Sequence, residues 1–331
     1  MYNLVCGELK AVIEIERLPE VTDKQWKKIN KWNRDIVDEF LGQQHLSPET
    51  LKQYKSTLRQ FFCWVKNSCD NKPLHELKPR DALKYQNFLI ERGLSNSAVK
   101  LKRSSVSSLC GFVELYYDDE FPLFRNIFSK KIPALSSTLR HEKQPLTQEE
   151  LDHLVAQLEK DKEWQMLAYL KFSFETGARR GEVRQLKKEI IDYNCIKGKN
   201  YYVSHEVRGK GRGREGKKAR CVFSDYAMEA VKKWIQVRGE DDCEYVFIRK
   251  HDNSVTQVSL ETFNYWCKTY FSDIVGRRVY PHLIRSSRAT ILDEKGVPIG
   301  SIQKLLSHEN PDTTSIYIVK NDSELLDSVF E

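Results

Sequence analysis

Two pairs of charged residues in the second half of the chain have the types and spacing to hold a phosphate group. The stretch "FETGARRGEVRQL" places Arg179 at a turn between two helical patterns, with Glu182 one helical turn further on, where it can brace the arginine. The stretch "PHLIR" places His282 and Arg285 on one face of a helix that Pro281 can start. Guanidinium groups bind phosphate oxygens in a bidentate manner, and the N-terminal end of a helix also attracts anions. Each pair alone is equally compatible with ordinary polar groups on a protein surface.

A third group lies in the glycine-rich stretch "HEVRGKGRGREGKKAR", residues 205–220. Its glycines predict the flexible tip of a β-hairpin, and its cations outnumber its two acids. The cations are Arg208, Lys210, Arg212, Arg214, Lys217, Lys218 and Arg220. A cationic tip of this kind can lie along a phosphate backbone, although a solvated charged loop is the alternative interpretation. The stretch lacks the G-K-[ST] sequence of a Walker A loop.

The fourth group lies in "LLSHENPDTTSIYI", which contains His308 and Tyr317. Asn310 and Pro311 predict that a helix ends just after His308, and the next helix then carries Tyr317. A tyrosine flanked by isoleucines is usually part of a protein core. Only its combination with the other three groups makes Tyr317 a candidate functional residue.

The elements that must position these groups fall into two regions. Residues 25–128 show successive amphipathic patterns with good N-caps, such as Ser47 before Pro48, and predict a bundle of four or five helices. Residues 129–145 contain Pro133, Pro145 and several cations, and predict a linker. Residues 146–331 alternate helical patterns with short β-rich runs. We expect a mainly α fold with a small antiparallel β-sheet, in which residues 1–24 form an N-terminal extension.

Composition sets further limits. The chain has 331 residues, a formal net charge of +7 and 40% hydrophobic residues, which is typical of a soluble protein with a core. No apolar run is long enough to span a membrane, and the N-terminus lacks the layout of a signal peptide. The eight cysteines form no C-x-x-C pair, so we expect reduced thiols, no zinc or other metal site, and a cytoplasmic location.

Five motifs of the chain occur in the order and approximate spacing of the tyrosine recombinases, the phage-integrase family. They are "TGARRGEV", "RGKG", "HLIR", "LLSH" and "TTSIY". The chain resembles that family over most of its length. The resemblance implies a helical core-binding (SAM-like) DNA-binding domain at residues 25–128 and a catalytic domain at residues 146–331. It assigns catalytic roles to Arg179, Lys210, His282, Arg285, His308 and Tyr317, and a supporting role to Glu182. Three features depart from the family pattern. The long hairpin allows Lys217 or Lys218 to replace Lys210, Ser286 stands where many relatives have histidine, and Ser307 stands where glycine is usual.

These residue types suit strand transfer at a phosphodiester. Two arginines can stabilise the charge that attack adds to the phosphate oxygens, and His282 can accept the proton of the Tyr317 hydroxyl. Lys210 can protonate the leaving 5′ oxygen, and His308 can bond a phosphate oxygen. The product is a 3′-phosphotyrosyl enzyme that retains the energy of the ester. The reaction therefore needs no cofactor, neither metal nor ATP.

The implied partner is double-stranded DNA, held by a C-shaped clamp of the two domains. Candidate DNA contacts are Lys100, Lys102, Arg103, Arg212, Arg214 and Lys217, although a solvated helix face explains the first three equally well. The tail "NDSELLDSVFE" is short and amphipathic, which is compatible with docking on a neighbouring protomer. The family resemblance implies that this segment is exchanged between protomers of a tetramer on DNA. We expect a bacterial or phage-encoded integrase of a mobile element. A type IB topoisomerase and a non-catalytic DNA-binding protein of the same fold are the alternatives.

Overall fold

The computed structural model describes residues 18–43, 45–128, 132–133, 144–211, 216–252 and 254–307. The chain divides into two compact units. The described part of the first unit ends at Pro133, and that of the second begins at Gln144. The two units are described separately below. No helix in these ranges is long and apolar enough to cross a membrane.

The first unit is helical throughout its described secondary structure. Its elements are α1 Asp23–Trp26, α2 Lys31–Leu41, α3 Pro48–Ser68, a 3₁₀ helix Leu74–Glu76, α4 Pro79–Glu91 and α5 Asn96–Tyr116. The predicted caps are confirmed, because the Ser47 and Ser95 hydroxyls accept backbone N–H groups of α3 and α5 at 3.2 Å. Buried aromatic rings of α3 and α4 pack together, with Phe61 and Tyr85 centroids 4.9 Å apart. The expected helical bundle is therefore present.

The stretch "DKQWKKINKWNRDIVDEFL" has the amphipathic pattern of a single helix, but it forms the two helices α1 and α2. Asn30 lies between them and caps α2, where its Oδ1 accepts the Trp32 N–H at 2.9 Å. Asn71 then fixes the break, because its Oδ1 accepts the Asn30 N–H at 3.0 Å. An asparagine side chain that bonds to nearby backbone competes with a continuing helix, which explains the division.

The second unit is mainly helical with short antiparallel strand pairs. Its helices are α6 Gln148–Lys160, α7 Trp164–Thr176, α8 Arg180–Val183, α9 Asp225–Arg238, α10 Leu260–Tyr265, α11 Ser272–Val275, α12 Pro281–Glu294 and α13 Ile299–Leu305, with a 3₁₀ helix Lys188–Asp192 and a π-helical turn Trp266–Phe271. Its strands are β1 Tyr202–Val203, β2 Val207–Gly209, β3 Lys217–Ala219, β4 Val222–Phe223, β5 Ile248–His251 and β6 Ser254–Gln257. Within the described residues β1 pairs with β4, β2 with β3 and β5 with β6. The predicted fold class is confirmed, although "EIID", predicted within a β-rich run, forms the 3₁₀ helix instead.

The core of the second unit surrounds α7. Nine residues of this helix are buried, on every side of it, which is the pattern of a helix enclosed by others. The Tyr169 ring stacks on Phe263 of α10 at 4.3 Å, and α9 and α12 also pack against α7. This packing fixes the C-terminal end of α7, where the "TGARRGE" motif begins.

Candidate active site

The turn between α7 and α8 holds Arg179 in place. Gly177 takes a left-handed conformation with φ of 57°, and the Thr176 hydroxyl accepts the Ala178 N–H at 3.1 Å. Arg179 is the N-cap of α8. The Glu182 carboxylate accepts the Arg179 backbone N–H at 2.7 Å and its Nη1 at 3.0 Å. The Glu182 side chain is 6% exposed and the Arg179 side chain is 21% exposed, so Glu182 supports the arginine from the buried side.

Helix α12 carries the other pair. Pro281 occupies its first turn, as predicted, and His282 is exposed near its N-terminus. Arg285 is 1% exposed. Its Nη1 donates to the Gly177 carbonyl, and its Nη2 donates to the Leu306 carbonyl at 2.6 Å. One guanidinium therefore connects the turn that carries Arg179 with the end of α13.

The packing of Leu306 on Gly177 strengthens this connection. A β-carbon added to Gly177 would lie 2.3 Å from Leu306 Cδ2, so the glycine leaves a notch that the leucine fills. Leu306 is 1% exposed and belongs to a small cluster with Ala289 and Ile302. Residues 306 and 307 are the last that the structure describes. His308 and Tyr317, the predicted second histidine and nucleophile, lie outside the described residues.

The β2–β3 hairpin lies beside α8. Gln185 holds it there, because its Oε1 accepts the Arg208 N–H at 2.8 Å and its Nε2 donates to the Arg208 carbonyl at 2.9 Å. A β-carbon added to Gly209 would lie 3.3 Å from Glu182 Oε1. Lys210 is exposed and directly follows Gly209. The hairpin backbone therefore brings Lys210 to the neighbourhood of the Arg179–Glu182 pair.

The register of the hairpin separates the alternative lysines. Gly209 pairs with Lys217, and Arg208 pairs with Lys218. Because side chains alternate between the two faces of a strand, Lys217 shares the face of Gly209, which is directed towards Glu182. Lys218 is on the opposite face, where its Nζ forms an ion pair with Glu206 at 3.2 Å. Arg212 and Arg214, which the sequence predicts at the hairpin tip, lie outside the described residues.

The thiol of Cys221 is buried in the core of the second unit. Its pKa is raised to about 12, mainly by burial and also by the negative charge of Glu182, while a hydrogen bond with Ser204 and the positive charge of Arg285 oppose the rise. Among the described residues, no cluster of His, Cys, Asp and Glu side chains could hold a metal ion.

The predicted DNA contacts of the first unit differ in their surroundings. Lys100 is exposed. Lys102 donates to Gln60 Oε1 on α3, and Arg103 donates to Gln86 Oε1 and to the Pro133 carbonyl at 3.0 Å. Burial lowers the pKa of both side chains. These two cations already have protein partners, whereas Lys100 points to solvent.

The second unit brings the turn that carries Arg179 into contact with Arg285 of α12, and it places the hairpin that carries Lys210 beside Glu182. Two family descriptions match the chain: "Phage integrase family" over residues 144–324 and "Phage integrase, N-terminal SAM-like domain" over residues 34–119. The first match alone covers more than half of the chain. The chain therefore belongs to the phage integrase family and is a tyrosine recombinase, a class of enzymes that cut and rejoin DNA strands.

Comparisons with individual relatives support the same family assignment. The chain is 37% identical over 320 residues to the SPbeta prophage-derived recombinase-like protein YomM of Bacillus subtilis (strain 168), covering 95% of each chain. It is 29% identical to tyrosine recombinase XerA of Thermococcus onnurineus (strain NA1), over 86% of this chain and 90% of that one. Its fold resembles that of a chain in the crystal structure of a lambda integrase tetramer bound to a Holliday junction. The TM-score is 0.62 and the identity 18%, over 91% of this chain and 78% of that one.

Proposed function

We propose that this recombinase cleaves double-stranded DNA through a covalent 3′-phosphotyrosyl intermediate formed by Tyr317, as the enzyme of a phage or another mobile element. One observation carries the proposal. Arg285 bonds both the turn that precedes Arg179 and the end of α13, eleven residues before Tyr317. The turn that carries Arg179, the side chain of Arg285 and the end of α13 therefore lie together, and we expect one phosphate to contact both guanidinium groups there. The prophage origin of YomM supports the link to a mobile element.

The residues divide the reaction as follows. Arg179 and Arg285 contact the non-bridging oxygens of the scissile phosphate, and the carboxylate of Glu182 orients Arg179. The Tyr317 oxygen attacks phosphorus, the bond to the 5′ oxygen breaks, and the hydroxyl proton passes to His282. Lys210 returns a proton to the 5′ oxygen, while His308 bonds a phosphate oxygen. A second strand with a free 5′-hydroxyl reverses the step.

The buried position of Arg285 suits this role. The carbonyls of Gly177 and Leu306 stabilise its charge without DNA and leave the guanidinium plane fixed. A charge held in a protein interior interacts more strongly with an incoming anion than one in water, because the surrounding dielectric constant is lower.

We also propose that the protein acts as a tetramer on DNA, clamped between domains at residues 25–128 and 146–331 and exchanging its C-terminal tail between protomers. The lambda integrase tetramer on a Holliday junction supports this assembly, since the two chains share a fold. Lys100 is exposed and remains a candidate phosphate contact. The cations of the predicted hairpin, Arg212, Arg214 and Lys217, complete the proposed DNA surface. A cytoplasmic location follows from this substrate.

The test uses nicked suicide duplexes with a randomised core, from which covalent protein–DNA adducts are recovered and sequenced. The wild-type chain should yield adducts with a 3′ linkage, and Tyr317→Phe should yield none. Adducts from both proteins would show that another residue is the nucleophile, with Tyr270 and Tyr280 as the first alternatives. Relaxation of supercoiled plasmid without exchange between two recovered sites would instead indicate a topoisomerase.

A further inference from the structure

A single arginine fastens the start of the second unit. Arg277, in the loop between α11 and α12, donates from Nη1 to the Gln144 carbonyl at 2.9 Å and from Nη2 to the Pro145 carbonyl at 2.8 Å. Its Nε and Nη2 also bond the Glu150 carboxylate at 2.7 and 2.6 Å. The side chains of Arg277 and Glu150 are 27% and 26% exposed, so this ion pair is largely shielded from water. Residues 144 and 145 are the end of the predicted linker.

A second contact joins the next residue to α12. The Ser287 hydroxyl accepts the Leu146 N–H at 2.7 Å and donates to the Leu283 carbonyl at 2.8 Å. Ser287 is fully buried and Leu146 is 1% exposed, so no solvent can replace the bond. Ser287 lies two residues after Arg285 on the same helix. The backbone that leaves the linker is thus bonded to the helix that carries the proposed catalytic pair.

We infer that Arg277 and Ser287 are positioning residues for strand cleavage: together they form a linker anchor that fixes the orientation of α12, and with it Arg285 and His282, against the chain that enters from the first unit. The inference rests on the proposed function, because it assumes that α12 presents these two side chains to DNA.

The physical reason is that the anchor bonds connect α12 to the first described residues of the second unit. The linker anchor holds Gln144, Pro145 and Leu146, and both of its members belong to α12 or to the loop that leads into it. Without these bonds, the start of the second unit would no longer hold α12 in its present direction. A misplacement of about 1 Å at a reacting centre can lower a rate by about a hundredfold.

An ordinary role in stability would produce a different result. In that case, loss of an anchor residue would lower the melting temperature but leave the cleavage rate of the folded protein unchanged. The positioning role predicts that DNA affinity stays nearly constant while the rate of adduct formation at saturating DNA falls. Binding and chemistry must therefore be measured separately on the full-length chain, below its melting temperature.

The experiment compares Arg277→Gln, Arg277→Lys and Ser287→Ala with the control Arg278→Gln, using a suicide duplex recovered with the wild type. Arg278 is exposed, and its guanidinium lies over the Tyr280 ring at 5.6 Å, so the control removes the same charge one residue away. We expect Arg277→Gln and Ser287→Ala to lower the single-turnover rate by about tenfold or more. Their Kd should stay within about threefold of the wild type, as should both values for Arg278→Gln.

Arg277→Lys keeps the charge but cannot reach both carbonyls and the carboxylate in one plane, so its rate should fall as well. This variant also keeps the test decisive if Arg277→Gln does not fold. Unchanged rates in the folded anchor variants would refute the inference, as would equal effects of the Arg277 and Arg278 changes or a parallel loss of affinity and rate. A wild-type chain that forms no adduct would contradict the proposed function instead.

Discussion

Replacing Gly177 with alanine tests whether the turn before Arg179 and the end of α13 depend on each other. Two costs combine in this variant. Alanine in the left-handed conformation costs about 1–2 kcal/mol relative to glycine. The new β-carbon would also lie 2.3 Å from Leu306 Cδ2, and overpacking of this kind costs about 1–3 kcal/mol. We expect a total loss of about 2–5 kcal/mol in the free energy of unfolding.

A matched control separates the two costs. Gly276 also has a left-handed conformation, with φ of 74°, but nothing lies within 4 Å of a β-carbon added there. Gly276→Ala should therefore show only the backbone cost of about 1–2 kcal/mol. Urea-induced unfolding of the full chain, followed by far-UV circular dichroism, measures both variants. Equal losses would show that Leu306 does not occupy the notch.

The same variant should impair chemistry, because displacement of Leu306 also moves the carbonyl that accepts Arg285 Nη2. We expect adduct formation at saturating DNA to fall by at least about tenfold in folded Gly177→Ala protein. Gly276→Ala should cleave at the wild-type rate. Normal cleavage by Gly177→Ala would contradict the view that the notch positions Arg285.

Three further predictions concern the hairpin, α13 and the tail. Lys210→Ala should lower the rate of adduct formation by about a hundredfold, and a duplex with sulfur in place of the 5′-bridging oxygen should restore the rate, since a thiolate leaves without a proton. Lys218→Ala should have little effect. If the sulfur duplex rescues Lys217→Ala alone, Lys217 and not Lys210 is the residue that protonates the 5′ oxygen. Ser307 has φ of 52°, so Ser307→Gly should raise the free energy of unfolding by about 0.5 kcal/mol. Glycine relieves the strain of the left-handed conformation, but it also increases the entropy of the unfolded chain. An unchanged melting temperature would show that Ser307 is not strained. A chain that ends after Asp322 should bind and cleave DNA but exchange two sites poorly, and unimpaired exchange would remove the tail from the proposed assembly.

Local chemistry made part of the fold predictable from the sequence. Thr147 and Glu150 have the sequence spacing of a capping box, and the structure contains it, because each side chain bonds the other residue's backbone N–H. The brace between Glu182 and Arg179 was predictable for the same reason. Ser307 shows the value of the family pattern: a position where glycine is usual takes a backbone conformation that favours glycine.

The contacts that assemble the site connect residues far apart in sequence, and periodicity does not reveal them. Gln185 bonds Arg208 across 23 residues, and Arg285 bonds Gly177 across 108. A helical pattern predicts which residues share a face but not what covers that face. For this reason Lys102 and Arg103, predicted as DNA contacts, could not be recognised as partners of Gln60 and Gln86. The β5–β6 pair carried no prediction, because its residues are mostly polar or charged.

The bonds of Arg285 hold this side chain in one orientation before DNA binds. An arginine with no partner in a protein interior would be costly, and it would turn towards water until a phosphate arrived. The carbonyls of Gly177 and Leu306 remove that cost beforehand, and the Gly177 notch keeps Leu306 close enough to supply one of them. The side chain is therefore oriented before the substrate is present, which lowers the reorganisation that accompanies reaction. One carbonyl comes from the turn before Arg179 and the other from the end of α13, so the arginine that we propose to meet the phosphate also joins these two segments.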